Sequence, residues 1–525
     1  MAPNARQRPP IPFRALEKVR VRPQSLVQIC LGRVAENFLS YDNLDKKLGK
    51  KQLEDVYAML DLNMSLPEAA ARIADENYWK RRTQAKHRNA QVDKHGMSWK
   101  QTFLELELQD VLERIPITLD YEGPELEALR QQVTASRLHV FKLVVSQFPS
   151  HIDLSFLFDA LPALCSFSVT YGNRRLGMDY ERAMFGMKIS DAQYLARNIR
   201  VSQTLVSLSL PCNMIDDELI KVLMGGLSYG HMLTHLDLSH NKIGDRGARR
   251  LASLLDPDYC LHSLDLSDNQ IHANGCMHIG AHLAENMTCT VLNLRLNRCE
   301  DNGVSHLFQD MCVNKYLRTL NISCNDLTVR CLPYMNAMIS DNDTLTELDL
   351  SANPLHQPEG DDAAPGAAAT QLAGGSSVQL PGGGGGGSMV DAVDAEGAEG
   401  DEDEGIGGVS MSSPLGIFAR FLMKSNALLR VDIRQCGLPP ELAERVSTTV
   451  KHRELRAKGI PVEAYERSRI QQTVEVPEEE EAEGEGEEAL EEGAEGAEGQ
   501  AAESKEGAEG AEGEGEQEEK HEEEN

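Results

Sequence analysis

The chain has few aromatic residues and lacks the short patterns that identify common enzymes. Aromatic side chains make up 5% of its 525 residues, with two tryptophans. There is no G-x-S-x-G, no H-E-x-x-H and no C-x-x-C, and the glycine run at 382–387 lacks the Lys-Ser/Thr of a phosphate-binding loop. These absences favour a protein that binds other proteins, and we expect no catalytic residues, no cofactor and no metal.

Long apolar runs are also missing. No stretch of eighteen apolar residues occurs, and the start MAPNARQRPPIPF lacks the apolar core of a secretory signal. The eleven cysteines are odd in number. We therefore expect an intracellular protein of the cytoplasm or cytoskeleton, with reduced thiols and no membrane contact.

Positive charge is scarce in two segments that hold most of the acidity. From Glu475 to the end, 24 acidic residues stand against two lysines, and 356–413 has 11 acidic residues with no Lys or Arg. These segments account for −33 against a total of −31, so the rest carries about +2. A nearly neutral body with acidic tracts predicts no nucleic-acid binding.

What the sequence does contain is a 28-residue repeat. An asparagine follows each L-x-x-L-x-L block, and apolar residues lie eight, five and three positions before it. The asparagines recur at a spacing of 28 throughout: Asn213, Asn241, Asn269, Asn297, Asn325 and Asn353. Such a period is typical of stacked repeats that share one core.

The residues within one repeat predict its structure. L-x-L places two leucines on one face of a short strand, and the asparagine side chain can satisfy backbone groups in the bend that follows. Gly247, Gly275 and Gly303 allow close packing where a helix begins. The fold class is therefore α/β, a ribonuclease-inhibitor-like leucine-rich-repeat solenoid with a parallel sheet on the concave face and helices on the convex face.

Weaker repeats extend this block to about nine strands over residues 138–440. Leu428, Val431 and Ile433 precede Cys436, which stands in for the asparagine. Upstream, Leu164, Phe167 and Val169 precede Gly172, and Leu138, Phe141 and Leu143 precede Ser146. Irregular spacing predicts a 13-residue excursion around 173–187 and a long insertion before a helix at 414–426.

The predicted organisation has four parts. A basic, proline-containing arm over 1–22 precedes an α-helical region over 23–135, where capping boxes begin at Ser25, Ser65 and Ser98. The repeat domain covers 136–458, interrupted by a disordered Gly/Ala/Asp insertion at 356–413. A linker and a disordered acidic tail occupy 459–525. The helical region and a helix over 441–458 should cap the two ends of the solenoid.

A polar column on the concave face is the candidate partner-binding site. Each member lies four residues before the asparagine of its repeat, or before Cys436 in the last repeat. An acidic row at this position either binds a basic partner or is an ordinary solvated face. Its members are Ser209, Asp237, Asp265, Asn293, Asn321, Asp349 and Asp432. Arg295 and Arg434 interrupt a neighbouring serine column, either as contacts for a partner's carboxylate or as unpaired surface residues.

Two other features have competing interpretations. Seven histidines cluster in two repeats, but no third ligand at a suitable spacing joins His235 and His262, which argues against a metal site. The arm over 1–22 holds six basic residues against Glu17 and is either a tether to an acidic surface, such as a microtubule's, or a solvated tail.

Several stretches together resemble one family. They are His151-Ile-Asp-Leu, Leu161-Pro-Ala-Leu, Val169-Thr-Tyr-Gly172, Leu176-Gly-Met178, Leu236 to Ala248, and Tyr78-Trp79-Lys-Arg-Arg82. These resemble the T-complex-associated testis-expressed protein 1 family, the leucine-rich-repeat subunit 5 of the nexin–dynein regulatory complex. The likeness covers about 20–355 and the final repeat, but neither the insertion nor the acidic tail.

The resemblance implies a non-enzymatic scaffold in the axoneme of cilia and flagella. Its partners would be other subunits of that complex, with doublet microtubules and dyneins contacted indirectly. Two alternatives stay open because the repeat motif alone is unspecific. One is a Ran-type GTPase-activating protein, which would stimulate GTP hydrolysis, and the other is a soluble repeat adaptor that binds one compact ligand.

Overall fold

In the described part of the chain, nine parallel strands form one sheet in which strand order follows chain order. The computed structural model describes residues 25–116, 123–172, 184–230, 232–356, 406–463 and 465. The predicted arm over 1–22, most of the excursion, most of the insertion and nearly all of the tail lie outside the described residues. The strands are β1 Lys142–Phe148, β2 Ser166–Tyr171, β3 Ser207–Ser209, β4 His235–Asp237, β5 Ser263–Asp265, β6 Val291–Asn293, β7 Thr319–Asn321, β8 Glu347–Asp349 and β9 Arg430–Asp432.

A helix follows each strand and covers the sheet. The repeat helices are α8 Ser155–Ala160, α9 Ile189–Val201, α10 Asp217–Leu227, α11 Asp245–Ala252, α12 Ala273–Glu285, α13 Glu300–Met311, α14 Leu332–Asp341, α15 Pro414–Lys424 and α16 Pro440–Ala457. Their apolar stripes pack on the leucines of the strands, which stay in register from one repeat to the next, as Leu236 and Leu264 do. This confirms the predicted leucine-rich-repeat solenoid.

Among the residues that the structure describes, seven α-helices precede the sheet. They are α1 Leu26–Glu36, α2 Leu44–Lys47, α3 Lys50–Met59, α4 Leu66–Arg72, α5 Glu76–Lys86, α6 Trp99–Leu112 and α7 Pro124–Ser136. Of the three predicted capping boxes, the one at Ser25 forms completely. Ser98 accepts from the backbone of Gln101, whose side chain binds Glu105 instead, and Ser65 donates to the side chain of Glu68.

The glycines at the starts of the repeat helices are required by close packing. A Cβ on Gly247 would lie 2.6 Å from Oδ1 of Asp217 and 2.7 Å from Cγ2 of Ile243. A Cβ on Gly303 would lie 2.7 Å from Cα of Ala273. Neighbouring helices therefore approach one another more closely than any larger residue would permit.

The first strand corrects the predicted register. Leu138 and Phe141 are exposed, whereas Val140, Leu143 and Val145 are buried. Leu143 lies beside Phe167 and Val145 beside Val169, so the apolar positions sit two residues later than predicted. The error arose because Leu138 and Phe141 imitate the spacing of a repeat that the packing does not use.

Helix α6 closes the free edge of β1. Oε1 of Glu105 accepts hydrogen bonds from the backbone N–H groups of Phe141 and Lys142, both at 2.9 Å. Oε1 of Glu113, just past the end of α6, accepts from the N–H of Ser146, also at 2.9 Å. An open sheet edge invites pairing with another chain, and these carboxylates satisfy it.

The solenoid continues across the long insertion. Leu348 on β8 lies in register with Val431 on β9, although 82 residues separate them in sequence. Helix α15 supplies the expected convex helix, with Phe418 and Leu422 buried. The two longest internal segments outside the described residues, 173–183 and 357–405, each follow a strand and precede the next helix in sequence.

No described helix combines the length and the apolar character needed to span a bilayer.

Candidate partner-binding surface

The polar column of the concave face forms as one continuous row. Each member is the last residue of its strand from β3 to β9, and the register places Asp237 beside Asp265 and Asn293 beside Asn321. The structure therefore brings all seven predicted column residues together. Whether this row binds a partner stays a prediction.

The first role of the column side chains is local. In six repeats the side-chain Oδ1 accepts the backbone N–H two residues further along, at 2.9–3.1 Å. The acceptors are Asp237, Asp265, Asn293, Asn321, Asp349 and Asp432. This contact holds the turn after each strand, so Asp and Asn in this column have a structural reason independent of any partner.

Lateral hydrogen bonds then pair the column residues. Ser209 Oγ donates to Asp237 Oδ2 at 2.7 Å, and Asn293 Nδ2 donates to Asp265 Oδ2 at 2.9 Å. Asn321 Nδ2 donates to Asp349 Oδ2 at 3.0 Å. Asp237 and Asp265 thus accept from opposite sides of the row, and their adjacent carboxylates place two negative charges near its β3 end. A basic group of a partner would find its strongest attraction there.

The two arginines of the serine column differ. Arg434 donates to both oxygens of Asp432, with Nε 3.0 Å from each, and this hydrogen bonding lowers the pKa of the Asp432 carboxyl. Arg295 is exposed, and in the described part of the chain its guanidinium makes no hydrogen bond or ion pair. Arg295 is therefore the better placed of the two to contact a partner's carboxylate.

Three of the clustered histidines each contact a different partner. His240 pairs with Asp268 at 2.7 Å, His282 with Asp256 at 2.6 Å, and His262 with the carbonyl of Cys260 at 2.7 Å. Within the ranges that the structure describes, no three His, Cys, Asp or Glu side chains converge as metal ligands would. His231 lies outside those ranges.

The predicted asparagine ladder binds each repeat to the one before it. Asn241 Nδ2 donates to the carbonyl of Leu210, 31 residues earlier, at 2.9 Å, and its Oδ1 accepts from the N–H of Ile215. The same offset of 31 recurs for Asn269, Asn297, Asn325 and Asn353. Cys436 takes over this role with a weaker donor, its Sγ lying 3.1 Å from the carbonyl of Leu350.

A second ladder on the opposite edge was missed. Asn286, Asn314 and Asn342 are buried, and their side chains donate to carbonyls 31 residues earlier, at 2.6–2.8 Å. They follow helix ends and satisfy carbonyls that the helices leave free. Their spacing of 28 is the same as that of the first ladder and is visible in the sequence.

The buried thiols are part of the core. All eleven cysteines are free. Burial raises the pKa of the Cys289 thiol to about 12 and that of Cys436 to about 11. Since the thiolate is the reactive form, these two cysteines act as small apolar side chains.

Comparisons with known proteins give consistent matches. Residues 231–252, 260–280 and 313–330 match the model of the leucine-rich-repeat family. Dynein regulatory complex subunit 5 of Chlamydomonas reinhardtii is 38% identical over 38% of this chain and 50% of its own length. The protein of that name from Mus musculus is 30% identical over 38% of this chain and 45% of its own. The matched region thus spans about half the length of these relatives.

Solved structures resemble the chain only distantly. The yeast Rad7–Elc1 complex gives a TM-score of 0.24 at 13% identity, covering 66% of this chain and 97% of that chain. A TM-score this low supports no conclusion about function.

Proposed function

Because the chain belongs to the dynein regulatory complex subunit 5 family, we propose that it is a structural subunit of the nexin–dynein regulatory complex. In that role it helps link outer doublet microtubules in the axoneme of cilia and flagella and regulates dynein-driven bending through protein–protein contacts. The observation that carries this proposal is the 38% identity to the algal subunit over 198 residues.

The architecture suits a scaffold. Nine strands in register give a long concave surface on which many weak contacts can add along an extended partner. The column residues are held by hydrogen bonds to the backbone and to each other, so the surface is already ordered before a partner arrives. We infer a non-enzymatic role from this use of the polar side chains.

Within this role, the concave column is the proposed contact for a basic partner, with the adjacent carboxylates of Asp237 and Asp265 near its β3 end and Arg295 as a contact for a carboxylate. The arm over 1–22 is a proposed tether to an acidic surface, and the helical region 23–135 and repeat domain 136–458 are the proposed folded parts. The neighbours are other subunits of the complex, with microtubules and dyneins contacted indirectly.

A salt-extraction series on isolated motile cilia tests the proposal, with the chain followed by mass spectrometry. We expect it to stay with the doublets through salt that removes dyneins and to leave together with other subunits of the regulatory complex. Recovery in the soluble or nuclear fraction, with no loss on stripping the complex, would overturn the proposal.

A further inference from the structure

Three arginines lie together on the solvent-facing side of helix α11. They are Arg246, Arg249 and Arg250, and spacings of three and four residues place them on one side of the helix. Arg246 and Arg249 are exposed and Arg250 is half-buried, whereas the opposite side of the helix, with Ala248 and Leu251, is buried in the core. We call the three arginines the arginine patch.

The guanidinium groups of the arginine patch have no acidic partner. In the part of the chain that the structure describes, the side chains of Arg246 and Arg249 make no hydrogen bond and no ion pair. Arg250 donates to the carbonyl of Arg246 at 3.3 Å, which leaves its charge uncompensated. Like charges three and four residues apart repel one another and destabilise the helix that carries them. The patch therefore costs α11 some stability.

The carboxylates closest in the repeat pattern are committed to other contacts. Asp217 and Asp245 each use one oxygen to accept two backbone N–H groups of the following repeat, at 2.8–3.0 Å. Glu218 on α10 lies 3.6 Å from the Nζ of Lys221, with which it forms an exposed ion pair. None of these three carboxylates forms an ion pair with the arginine patch.

The repeat itself does not require arginine at these positions. Because the repeat recurs every 28 residues, the equal positions of neighbouring helices show what packing on the convex face demands. They hold Glu218, Lys221 and Val222 on α10, Asn274, Met277 and His278 on α12, and Asn302, Ser305 and His306 on α13. The convex face thus accepts neutral and even acidic side chains, and the three arginines are a property of this one repeat.

Attraction to the helix dipole accounts for only part of the arginine patch. Arg249 and Arg250 lie in the last turn of α11, where a positive charge is favourable. Arg246 lies in the first turn, where a positive charge is unfavourable. A purely stabilising role would place basic residues at the end of the helix and none at its beginning. A negatively charged partner explains all three positions.

The extent of the arginine patch favours a short acidic segment over a nucleic acid. A duplex offers continuous rows of phosphates, and proteins that bind one often make about 6–10 phosphate contacts. Neither α12 nor α13 contains a Lys or Arg, so the basic surface ends at α11 on that side. The whole chain also carries a net charge of −31, which repels a long polyanion.

The surface around the arginine patch does not suit a membrane either. No large apolar residue of α10, α11 or α12 is exposed, so this face has no side chain to insert between lipids. Guanidinium groups bind carboxylates in a bidentate manner, and a second α-helix presents its side chains at the same three- and four-residue spacings as α11. The geometry of the patch therefore matches carboxylates on one side of a helix.

We propose that the arginine patch binds an acidic α-helix of another protein, in which Asp or Glu recurs at spacings of three and four residues. This helix lies along α11, and its carboxylates face Arg246, Arg249 and Arg250, with Lys221 at the border of the contact. The proposal goes beyond the role of a structural subunit, because it assigns a second surface, on the convex side, to a partner of opposite charge to that expected for the concave column.

The test measures binding of the purified full chain to two fluorescently labelled, alanine-based peptides of about 20 residues, long enough to form a helix. One peptide carries Glu at three- and four-residue spacings along one side, and the other carries Gln at the same positions. By fluorescence anisotropy at low salt, we expect the Glu peptide to bind about tenfold or more tightly than the Gln peptide.

Two triple variants locate the contact. Arg246→Gln, Arg249→Gln and Arg250→Gln together should weaken binding of the Glu peptide about tenfold, because each ion pair at a surface contributes a factor of about two to five. The matched control is Lys46→Gln, Lys47→Gln and Lys50→Gln, which removes three exposed positive charges ahead of the repeats. This control should change binding by less than about twofold. Circular dichroism checks that both variants fold.

Three results would overturn the proposal: equal binding of the two peptides, no binding of the Glu peptide, or equal weakening by the lysine variant. Tighter binding of a short DNA duplex that is lost in the arginine variant would assign the patch to nucleic acid. Carbodiimide coupling of Lys221 to an acidic residue of segment 357–405 or 475–525 in the free chain would assign it to the chain itself. The peptide test uses no cilia, so it can fail while the chain still extracts with the regulatory complex.

Discussion

At each end of the solenoid, a charged side chain replaces a hydrogen-bonding partner that a further repeat would supply. The first end lacks an acceptor, whereas the last end lacks a donor. In the interior, the carbonyl of Val206 accepts the N–H groups of Thr234 and His235 in the next repeat. At the first strand no earlier repeat exists, and Oε1 of Glu105 takes the place of that carbonyl, accepting from Phe141 and Lys142.

At the last repeat, a donor is missing rather than an acceptor. The second asparagine ladder donates to carbonyls 31 residues earlier, and Arg453 on α16 donates to the carbonyl of Leu422 at the same offset, at 3.1 Å. It also donates to the carbonyls of Met423 and Leu428. Thus an acceptor caps the beginning of the solenoid and a donor caps its end, because each edge exposes a different backbone group.

The largest loss of stability should come from a substitution at the N-terminal end of the solenoid. Glu105→Leu would leave two backbone N–H groups without their acceptor, and we expect a loss of about 3 kcal/mol in the free energy of unfolding. Denaturant unfolding measures this loss, and hydrogen exchange should show the backbone of β1 opening first. Glu105→Gln keeps one acceptor and should lose less. If both variants match the natural chain, Glu105 does not cap the edge.

A smaller loss is expected at the other end. Arg453→Met keeps the apolar stem but removes the donors to three carbonyls, and we expect a loss of about 2 kcal/mol. Hydrogen exchange in α15 and α16 should increase while β1 is unaffected. Arg453→Lys is the matched control. Its ammonium cannot reach all three carbonyls, so this variant should recover only part of the lost free energy of unfolding. Uniform destabilisation of both ends would contradict the separation of the two caps.

Acid should loosen both ends before the middle. Hydrogen bonds from Lys451 and Lys458 lower the pKa of Glu454 to about 2. Burial alone would raise the pKa of Glu107, but the hydrogen-bonded ammonium of Lys86 and the nearby His87 ring, whose Nε2 lies 3.9 Å from Oε2, lower it to about 2. Because these folded-state pKa values lie below the ordinary 4.5, the stabilisation is complete above about pH 4.5 and is lost as the pH falls toward 2.

Hydrogen exchange between pH 5 and pH 2.5 can follow this loss, which we expect to be on the order of 1 kcal/mol for each group. Glu454→Gln should remove the pH dependence at the C-terminal end only. The ladder amides in the interior do not titrate, so the repeats of β4 to β7 should open last. An interior that opens first in acid would refute this contrast.

The smallest expected effect concerns the ladder of the last repeat. Cys436→Ala removes a weak thiol donor to the carbonyl of Leu350, and we expect a loss of at most about 1 kcal/mol. Cys260→Ala, which changes an exposed thiol, should leave the midpoint of unfolding unchanged. If Cys436→Ala lowered the free energy of unfolding as much as Glu105→Leu, the thiol would contribute more to stability than a weak hydrogen-bond donor should.

Repetition made much of the fold predictable. The 28-residue spacing identified eight of the nine strands in register, and the helix predicted over 441–458 is observed at Pro440–Ala457. The predicted column also forms, because residues at equal positions of equal repeats must lie side by side. The error at β1 occurred where the repeat is weakest and where packing against α6, rather than an earlier repeat, selects the register.

The sequence by itself therefore determined the repeat, its strand register from β2 onward, the asparagine ladder and the family resemblance, because these follow from local periodicity. Only the tertiary structure decided how Glu105 and Arg453 replace absent neighbours and which of two arginines stays unpaired. These features depend on contacts between residues far apart in the chain. No local pattern encodes such relations, because each residue is ordinary until its neighbours in space are known.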